Sequence, residues 1–125
     1  MAELIYKDEC YKVIGACFEV YNQMSFGFPE QVYQECLTYE LTDQTIPFTS
    51  QEPLKLRYKQ RQLNSVYVPD FLLYDKIILE IKGVSQLDDS HRAQVLNYLK
   101  ATGLKLGLLV NFGNRSKLEY ERIVL

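Results

Sequence analysis

The sequence predicts a mixed α/β (α+β) domain in which a mixed central β-sheet is flanked by helices. Three observations predict it. Apolar residues follow helical spacing up to about residue 42, alternate with a period of two from residue 47 to 82, and form an almost wholly apolar segment after a third helical stretch. The expected element order is α-α-β-β-β-β-α-β-β. A length of 125 residues suits one domain, residues 1–125, with its own core.

Two helices are predicted before the sheet. Asp8 can cap a first helix from about residue 9 to residue 23, whose apolar side chains recur at helical spacing. Segment 25–28 breaks this helix, and Pro29 suits the first position of a second helix that runs to about Thr42. The two helices should form a hairpin that packs on the core.

The first half of the sheet is predicted from alternating apolar residues. Pro53 and the polar stretch 59–62 separate the strands, and Gly83 ends the run. The predicted strands are segments 47–51, 54–58, 65–73 and 77–82. Together they indicate a meander of three or four strands.

A helix and two strands are predicted to complete the domain. Segment 85–89 offers several caps for a third helix that ends near Thr102, and Gly103 suits the position just past that end. Segment 106–112 is apolar except at Asn111, which is typical of a buried parallel strand reached by a right-handed crossover. The apolar residues 123–125 predict a closing strand.

Segment 66–82 places two acids and a lysine inside an otherwise apolar hairpin. If residues 74–76 form its loop, Asp70 lies directly opposite Glu80, and Lys82 follows on the same face. Opposite residues have Cβ atoms roughly 4.5–5.5 Å apart, and like charges there destabilise a sheet. Burying such charges costs roughly several kcal/mol, because they lose their hydration, unless they are paired or hold a cation.

Both faces of this hairpin are predicted to be apolar, so it should be central and buried. Val68, Leu72 and Ile78 are expected on the face of the acids, and the opposite face is expected to carry Tyr67, Phe71, Ile77, Leu79 and Ile81. Pro69 lacks an amide and favours a bend that aims the Asp70 carboxylate. The alternative is a salt bridge from Lys82 to the acids in a shifted register. One lysine against two acids leaves a negative charge over, which favours a divalent metal.

Composition excludes several classes of protein. Hydrophobic residues make up 47% of the chain, no apolar run is long enough to span a bilayer, and the charged N-terminus does not resemble a signal peptide. A cytoplasmic location without membrane contact is therefore expected. Cys10, Cys17 and Cys36 are interpreted as free thiols in a reducing compartment. With His91 as the single histidine, a zinc site and a Cys–His nucleophile are weaker alternatives.

The charge balance is mildly acidic. Fourteen basic and sixteen acidic residues argue against a protein that coats nucleic acid by charge alone, although they do not argue against a nuclease. Lys55, Arg57, Lys59 and Arg61 alternate with apolar residues along one predicted strand and turn. They could follow a phosphate backbone, but a solvated strand face is the favoured interpretation.

Polar residues also recur on one face of the second and third helices. Glu30 shares a face with Tyr33 and lies in the first turn, where a carboxylate gains from the helix dipole. His91, Gln94 and Tyr98 form a stripe on the third helix. That helix follows soon after the strand of Glu80 and can lean over its end.

Three motifs carry a resemblance to a known family. Pro69-Asp70 followed by Glu80-Ile81-Lys82 resembles the PD-(D/E)xK signature of restriction-endonuclease-like nucleases. Gln94 and Tyr98 are similar to the Q-x-x-x-Y motif of the RecB-like and lambda-exonuclease-like branch. Gly27, Glu30 and Tyr33 resemble the G-x-x-E-x-x-Y signature of the GxxExxY protein family. The motifs stand in the family's order, and the likeness covers nearly the whole chain.

The resemblance implies a restriction-endonuclease-like core and a Mg²⁺ site, in which Mn²⁺ can substitute. Asp70, Glu80 and the backbone carbonyl of Ile81 would be metal ligands, and Glu30 would reach the metal or its water. Mg²⁺ prefers oxygen ligands and keeps several waters, which suits an open site of carboxylates.

The resemblance also implies an activity. Lys82 would position the attacking water, and Gln94 and Tyr98 would hold the substrate or orient Lys82. The expected function is a nuclease that hydrolyses phosphodiester bonds, with DNA as the expected substrate. The alternatives are a catalytically silent nuclease-fold module that binds nucleic acid or a protein partner, and a structural subunit of a larger complex. Homo-oligomerisation stays open.

Overall fold

The structure is a computed structural model and describes residues 4–125. Two helices precede five strands, a third helix and two further strands. The elements are α1 (Lys7–Met24), α2 (Glu30–Asp43), β1 (Phe48–Ser50), β2 (Leu54–Tyr58), β3 (Arg61–Tyr67), β4 (Phe71–Leu73), β5 (Ile77–Lys82), α3 (Asp89–Thr102), β6 (Leu106–Asn111) and β7 (Glu119–Val124).

A five-stranded mixed sheet in the order β1-β4-β5-β6-β7 forms the centre of the fold. Strands β5 and β6 are parallel, and the remaining neighbours are antiparallel. The parallel pair is joined through α3, as the predicted crossover requires. This architecture confirms the predicted mixed sheet flanked by helices. Strands β2 and β3 pair with each other in a separate two-stranded sheet.

The sheet is buried on both faces. On one face α1 and α2 cover a large apolar cluster that includes Phe71, Leu79 and Phe112, each fully buried. On the other face α3 and the β2–β3 hairpin cover a smaller cluster that includes Tyr67, Ile78 and Leu109. Strand β5 lies in the middle of the sheet and contributes to both clusters.

The predicted strand 65–73 is wrong as a single element. Strand β3 ends at Tyr67, strand β4 begins at Phe71, and the buried Pro69 lies between them. Proline has no N–H to donate and so interrupts the ladder. The interruption reverses the alternation of faces. Tyr67 therefore packs with Ile78 on the α3 face, not on the opposite face as predicted, and Val68 is 48% exposed.

Strand β3 is also longer than predicted at its start. It begins at Arg61, inside the polar stretch 59–62 that was predicted to separate strands. The pairing of Tyr58 with Arg61 leaves only Lys59 and Gln60 as the loop. Lys59 takes a positive φ of 54°, which a tight two-residue hairpin turn requires.

Two helix starts differ from the predictions, and in α2 Pro29 occupies the cap position while Glu30 is the first helical residue. Asp8 lies inside the first turn of α1 and is not its cap, since Tyr6 occupies the cap position without a side-chain hydrogen bond. Asp88 caps α3 by accepting from the backbone N–H groups of Ser90 and His91 at 2.9 and 3.3 Å, and Gly103 ends the helix at φ 81°, as predicted. No helix within residues 4–125 is long and apolar enough to cross a bilayer.

Candidate functional site

The two acids of the hairpin meet at the end of β4 and β5. The register pairs Phe71 with Leu79, and its continuation by one residue brings Asp70 opposite Glu80. The Asp70 N–H donates to Glu80 Oε1 at 3.3 Å, and the Ile81 N–H donates to Asp70 Oδ2 at 2.8 Å. The structure therefore brings the predicted acid pair together, with Glu80 on β5 and Asp70 one residue before β4.

The tight turn of this hairpin maintains that register. Lys76 N–H donates to the Leu73 carbonyl at 3.0 Å, and both residues between them, Tyr74 and Asp75, have positive φ values of 54° and 58°. Paired left-handed residues match the twist of the flanking strands. The predicted loop at residues 74–76 is confirmed, and with it the alignment of the acids.

Both carboxyl groups are harder to ionise than usual. Burial raises the pKa of Glu80 to about 7, and the neighbouring Asp70 charge adds to that effect. Burial also raises the pKa of Asp70, with a further contribution from the nearby Glu30 and an opposing one from the Ile81 N–H. Two half-buried acids with raised pKa values form a site that favours a cation beside them.

The backbone carbonyl of Ile81 faces the same place. In an extended strand the N–H and C=O of one residue point to the same edge, and the Ile81 N–H points to Asp70. Continuing the ladder would pair Ile81 with Pro69, which has no N–H to donate. The ladder therefore stops at Phe71, and the Ile81 carbonyl oxygen is left facing the carboxylates.

Tyr67 is a site residue that the sequence analysis missed. Its hydroxyl donates to Glu80 Oε1, and its ring stacks on Tyr98 with centroids 3.7 Å apart and an interplanar angle of 9°. Burial and the Glu80 charge raise the pKa of Tyr67, so the hydroxyl stays a donor. The signal in the sequence was Pro69, because a proline breaks the alternation and so places Tyr67 on this face.

Lys82 lies on the same face, and its charge lowers the pKa of both acids without pairing directly with either. Its Nζ donates to Gln94 Oε1 at 3.3 Å, and within residues 4–125 it forms no ion pair with a carboxylate. The alternative of a Lys82 salt bridge to the acids is therefore not observed. Gln94 and Tyr98, four residues apart on α3, reach Lys82 and Tyr67 respectively.

Glu30 approaches from the opposite side of the sheet. Its Oε2 accepts from the Gly83 N–H at 3.1 Å, just past the end of β5. No group of three or more histidine, cysteine, aspartate or glutamate side chains in residues 4–125 is arranged to hold a metal. Asp70 and Glu80 thus form a pair. Glu30 is close enough for its charge to raise the pKa of Asp70, but its carboxylate accepts from the Gly83 backbone N–H.

Tyr33 shapes the turn that precedes Glu30. The ring of Tyr33 is fully buried against Phe112, with centroids 4.5 Å apart. Its hydroxyl donates to the Ser25 carbonyl at 2.5 Å and accepts from the Phe28 N–H at 3.3 Å. The predicted stripe on α2 therefore supports the loop structurally, while Glu30 reaches the end of the sheet.

Asn111 fixes the chain just after Lys82, and the sequence analysis missed it as well. It is fully buried; its Oδ1 accepts from the Val84 N–H at 3.0 Å, and its Nδ2 donates to the Val84 carbonyl at 2.8 Å. Gly113 permits this close approach, because a Cβ there would collide with the backbone of Gly83 and Val84. A polar residue in an otherwise apolar strand was the available signal.

The third member of the predicted α3 stripe has a structural task. His91 Nδ1 accepts from the Asp88 N–H at 3.0 Å, and the reciprocal Asp88 contact completes a capping box. The structure therefore separates His91 from Gln94, which accepts from Lys82, and from Tyr98, which stacks on Tyr67.

The mixed sheet and the acid pair at its end define a nuclease-type fold. A family model for the PD-(D/E)XK nuclease superfamily matches residues 7–123, and the chain belongs to this superfamily. Nucleases of this superfamily generally use divalent metal ions. No curated protein matches the chain.

Solved structures share the fold at low identity. The crystal structure of SSO0001 is 16% identical with a TM-score of 0.57, and the match covers 76% of this chain and 50% of that one. An alkaline exonuclease (LHK-Exo) from Laribacter hongkongensis is 12% identical with a TM-score of 0.54, covering 99% of this chain and 72% of that one. The chain thus spans about half the length of SSO0001, and at these identities the likeness concerns the fold.

Proposed function

We propose that this protein is a Mg²⁺-dependent nuclease that hydrolyses phosphodiester bonds, with DNA as the expected substrate. One observation carries the proposal, namely that Asp70 and Glu80 lie side by side with raised pKa values at the end of the central strand. Superfamily membership supports it. The cost of the acid pair is offset when a cation binds there.

The donor set fits a hard divalent ion. Asp70 and Glu80 supply carboxylate oxygens, and Ile81 supplies a carbonyl oxygen freed by Pro69. Mg²⁺ prefers oxygen ligands and retains several waters, and Mn²⁺ shares this preference. Glu30 is proposed to reach a retained water from the Gly83 side, consistent with its place in the G-x-x-E-x-x-Y pattern.

The remaining side chains have distinct proposed tasks. A bound divalent ion supplies positive charge that activates a water and stabilises the developing phosphate charge. Lys82 holds the attacking water through its ammonium group and offsets charge in the transition state. Gln94 orients Lys82 through its side-chain oxygen, and Tyr98 holds the Tyr67 ring against Glu80.

Cleavage assays with variants test this proposal. Purified protein should cut single- or double-stranded DNA or RNA in Mg²⁺ or Mn²⁺ and stop in EDTA. Asp70→Asn and Lys82→Ala should each lower the rate by about 10²-fold or more, the effect of removing one electrostatic contact to the transition state.

Asp75→Asn is the matched control for the first variant. Asp75 lies at the other end of the same hairpin, is exposed, and has a positive φ that asparagine tolerates. It should cleave like the wild type. Absence of cleavage on every substrate, or equal activity of Asp70→Asn and Asp75→Asn, would contradict the proposal.

A catalytically silent nuclease-fold module is the second candidate. The engagement of Glu30 with the Gly83 backbone, away from the acid pair, favours it. A thermal unfolding series with Mg²⁺ separates the two. Metal at 100 times its dissociation constant should stabilise a metal-binding enzyme by about 2.7 kcal/mol, and Asp70→Asn should lose that gain. A silent module that binds nucleic acid without metal would show neither effect.

A further inference from the structure

The β2–β3 hairpin differs from the rest of the fold in its exposure. Every residue of β3 from Arg61 to Val66 is exposed, and only Tyr67 at its end is buried. On β2, Leu54 and Leu56 turn inward to the cluster under α3, which leaves Lys55 and Arg57 on the outer side. The hairpin thus has one attached side and one free side.

The hairpin is positively charged in an acidic protein. Residues 54–67 contain four basic residues, Lys55, Arg57, Lys59 and Arg61, and no acidic residue. Of fourteen basic residues this leaves ten in the rest of the chain, against all sixteen acids. In the part of the chain that the structure describes, none of the four forms a salt bridge. A merely solvated face usually mixes both signs.

The base of the hairpin is attached to the acid pair. Leu54 pairs with Tyr67, and the Tyr67 hydroxyl donates to Glu80. From Tyr67 to Arg61 the strand extends six residues, or about 20 Å at 3.3 Å per residue. One strand of duplex DNA advances about 3.4 Å per phosphate, so this length corresponds to roughly six phosphates.

The tip adds an aromatic group to the cations. Tyr58 is 61% exposed, and the Lys59 ammonium lies 5.5 Å from its ring centroid. Arg61 pairs with Tyr58 across the hairpin. Exposed aromatic rings beside cations are the groups on which proteins stack unpaired bases while they hold the backbone.

We propose that the β2–β3 hairpin is the substrate-binding arm of this protein. Lys55 and Arg57 each contact a phosphate of a nucleic-acid strand that leads to Asp70 and Glu80, and the tip formed by residues 58–61 contacts the strand farther from the site. The arm compensates for the negative charge of the domain and of its acid pair. This inference rests on the proposed function for the cleavage that follows binding, but the binding itself needs no metal.

The test compares the salt dependence of binding in EDTA. Labelled single-stranded DNA, duplex DNA and RNA of one sequence, about 20 nucleotides and longer than the arm spans, are titrated with the wild type and with Lys55→Gln/Arg57→Gln. The slope of log K against log salt should fall in magnitude by about 1.8 on duplex DNA and about 1.4 on single strands, which is 0.9 or 0.7 per phosphate contact.

A matched control removes the same two residue types elsewhere. Lys12→Gln/Arg115→Gln takes one lysine and one arginine from exposed positions outside the hairpin and should leave the slope unchanged. Both double variants should unfold at the wild-type temperature, because their side chains are exposed. In Mg²⁺ the hairpin variant should raise KM and retain kcat at saturating substrate.

Several results would contradict the proposal that the β2–β3 hairpin is a substrate-binding arm. One is an equal loss of slope in the hairpin and control variants, and another is a wild type that binds none of the nucleic acids at low salt. Poly-glutamate that competes as well as DNA at equal charge would show a general anion surface. Reduced slope in the hairpin variant without any cleavage in Mg²⁺ would support the arm and reject the nuclease. Cleavage with unchanged slopes would reject the arm alone.

Discussion

The two faces of strand β5 divide stability from chemistry. Ile77, Leu79 and Ile81 face α1 and α2 and are at most 2% exposed. On the other face Ile78 is buried under α3, but the next two alternate residues are Glu80 and Lys82. Because side chains alternate along a strand, one element can complete an apolar core and present charged groups two residues apart. Glu80 therefore lies on a rigid strand, and Asp70 lies in the bend just before β4.

The two faces of β5 also differ in what they contribute to the free energy of folding. Both faces contribute stability through fully buried side chains, but the α3 face also holds two acids whose pKa values burial raises. Groups that are hard to ionise in the folded state oppose folding at neutral pH. The buried apolar side chains therefore have to offset the free energy that folding loses at the acid pair.

Removing a core side chain should produce the largest effect. Leu79→Ala takes a fully buried side chain from the α1–α2 face and should lower the free energy of unfolding by about 2–5 kcal/mol, from lost burial and the remaining cavity. Urea unfolding measures this change. Leu72→Ala on the α3 face, where the side chain is half-buried, is the matched control and should cost less. Equal losses would contradict the assigned division of stability.

The acid pair should make stability depend on pH without metal. Glu80 has an ordinary pKa of 4.5 and a folded-state pKa of about 7, so the folded protein binds more protons between these values. The contribution of Glu80 to stability is then greatest below pH 4.5 and is lost as the pH rises through about 7. Asp70 shifts in the same direction. Thermal unfolding in EDTA should show a midpoint that falls across this range.

Glu80→Gln isolates that contribution. Glutamine keeps the shape and accepts the Tyr67 hydrogen bond but cannot ionise, so the fall in midpoint should be smaller in the variant than in the wild type. The difference between the two profiles removes the titration of other groups. Parallel profiles would mean that Glu80 titrates with its ordinary pKa.

Much of this contrast between the two faces of β5 could be predicted from the alternation of side chains along the strand alone. The apolar residues on both sides of Tyr74-Asp75 predicted the β4–β5 hairpin, and the loop length then set Asp70 opposite Glu80. The same rule failed at Tyr67, because Pro69 interrupts β3 and β4 and reverses the face. Alternation is a local property, and it does not extend across a break.

The supporting residues needed the folded structure. Asn111 was visible as a polar residue in an apolar strand, but its hydrogen bonds to Val84, 27 residues away in the chain, follow only from the tertiary arrangement. The β2–β3 arm is a similar case. Its four cations were visible in the sequence, but their freedom from salt bridges and the attachment of Tyr67 to Glu80 depend on the tertiary arrangement.

Tyr67→Phe should weaken metal binding at the α3 face. The Tyr67 hydroxyl lowers the pKa of Glu80 against the larger effect of burial, so its removal should raise that pKa further. Protons compete with metal for the carboxylate, and the loss of one hydrogen bond corresponds to about a two- to tenfold weaker apparent affinity at pH 7. Calorimetric Mn²⁺ titrations at pH 6 and 8 measure this. An equal loss at both values would point to altered packing instead of a changed pKa.

Gly83→Ala should produce the smallest change in stability and tests whether the α1–α2 side takes part in the chemistry. A Cβ at Gly83 would lie 3.2 Å from Glu30 Cγ, so the exposed Glu30 side chain has to shift by a few tenths of an ångström. The free energy of unfolding should change by no more than about 0.5 kcal/mol, as at other surface sites. Glu30 is the one α2 carboxylate at the site, and its displacement should lower the cleavage rate.

A double-mutant cycle with Glu30→Gln shows whether that loss passes through Glu30. If it does, Gly83→Ala should have little further effect once Glu30 is glutamine, and the two rate losses will not add. Independent, additive losses would mean that the alanine disturbs Lys82 or the chain behind it. In that case α2 would serve only the core, and the division between the two faces of β5 would be complete.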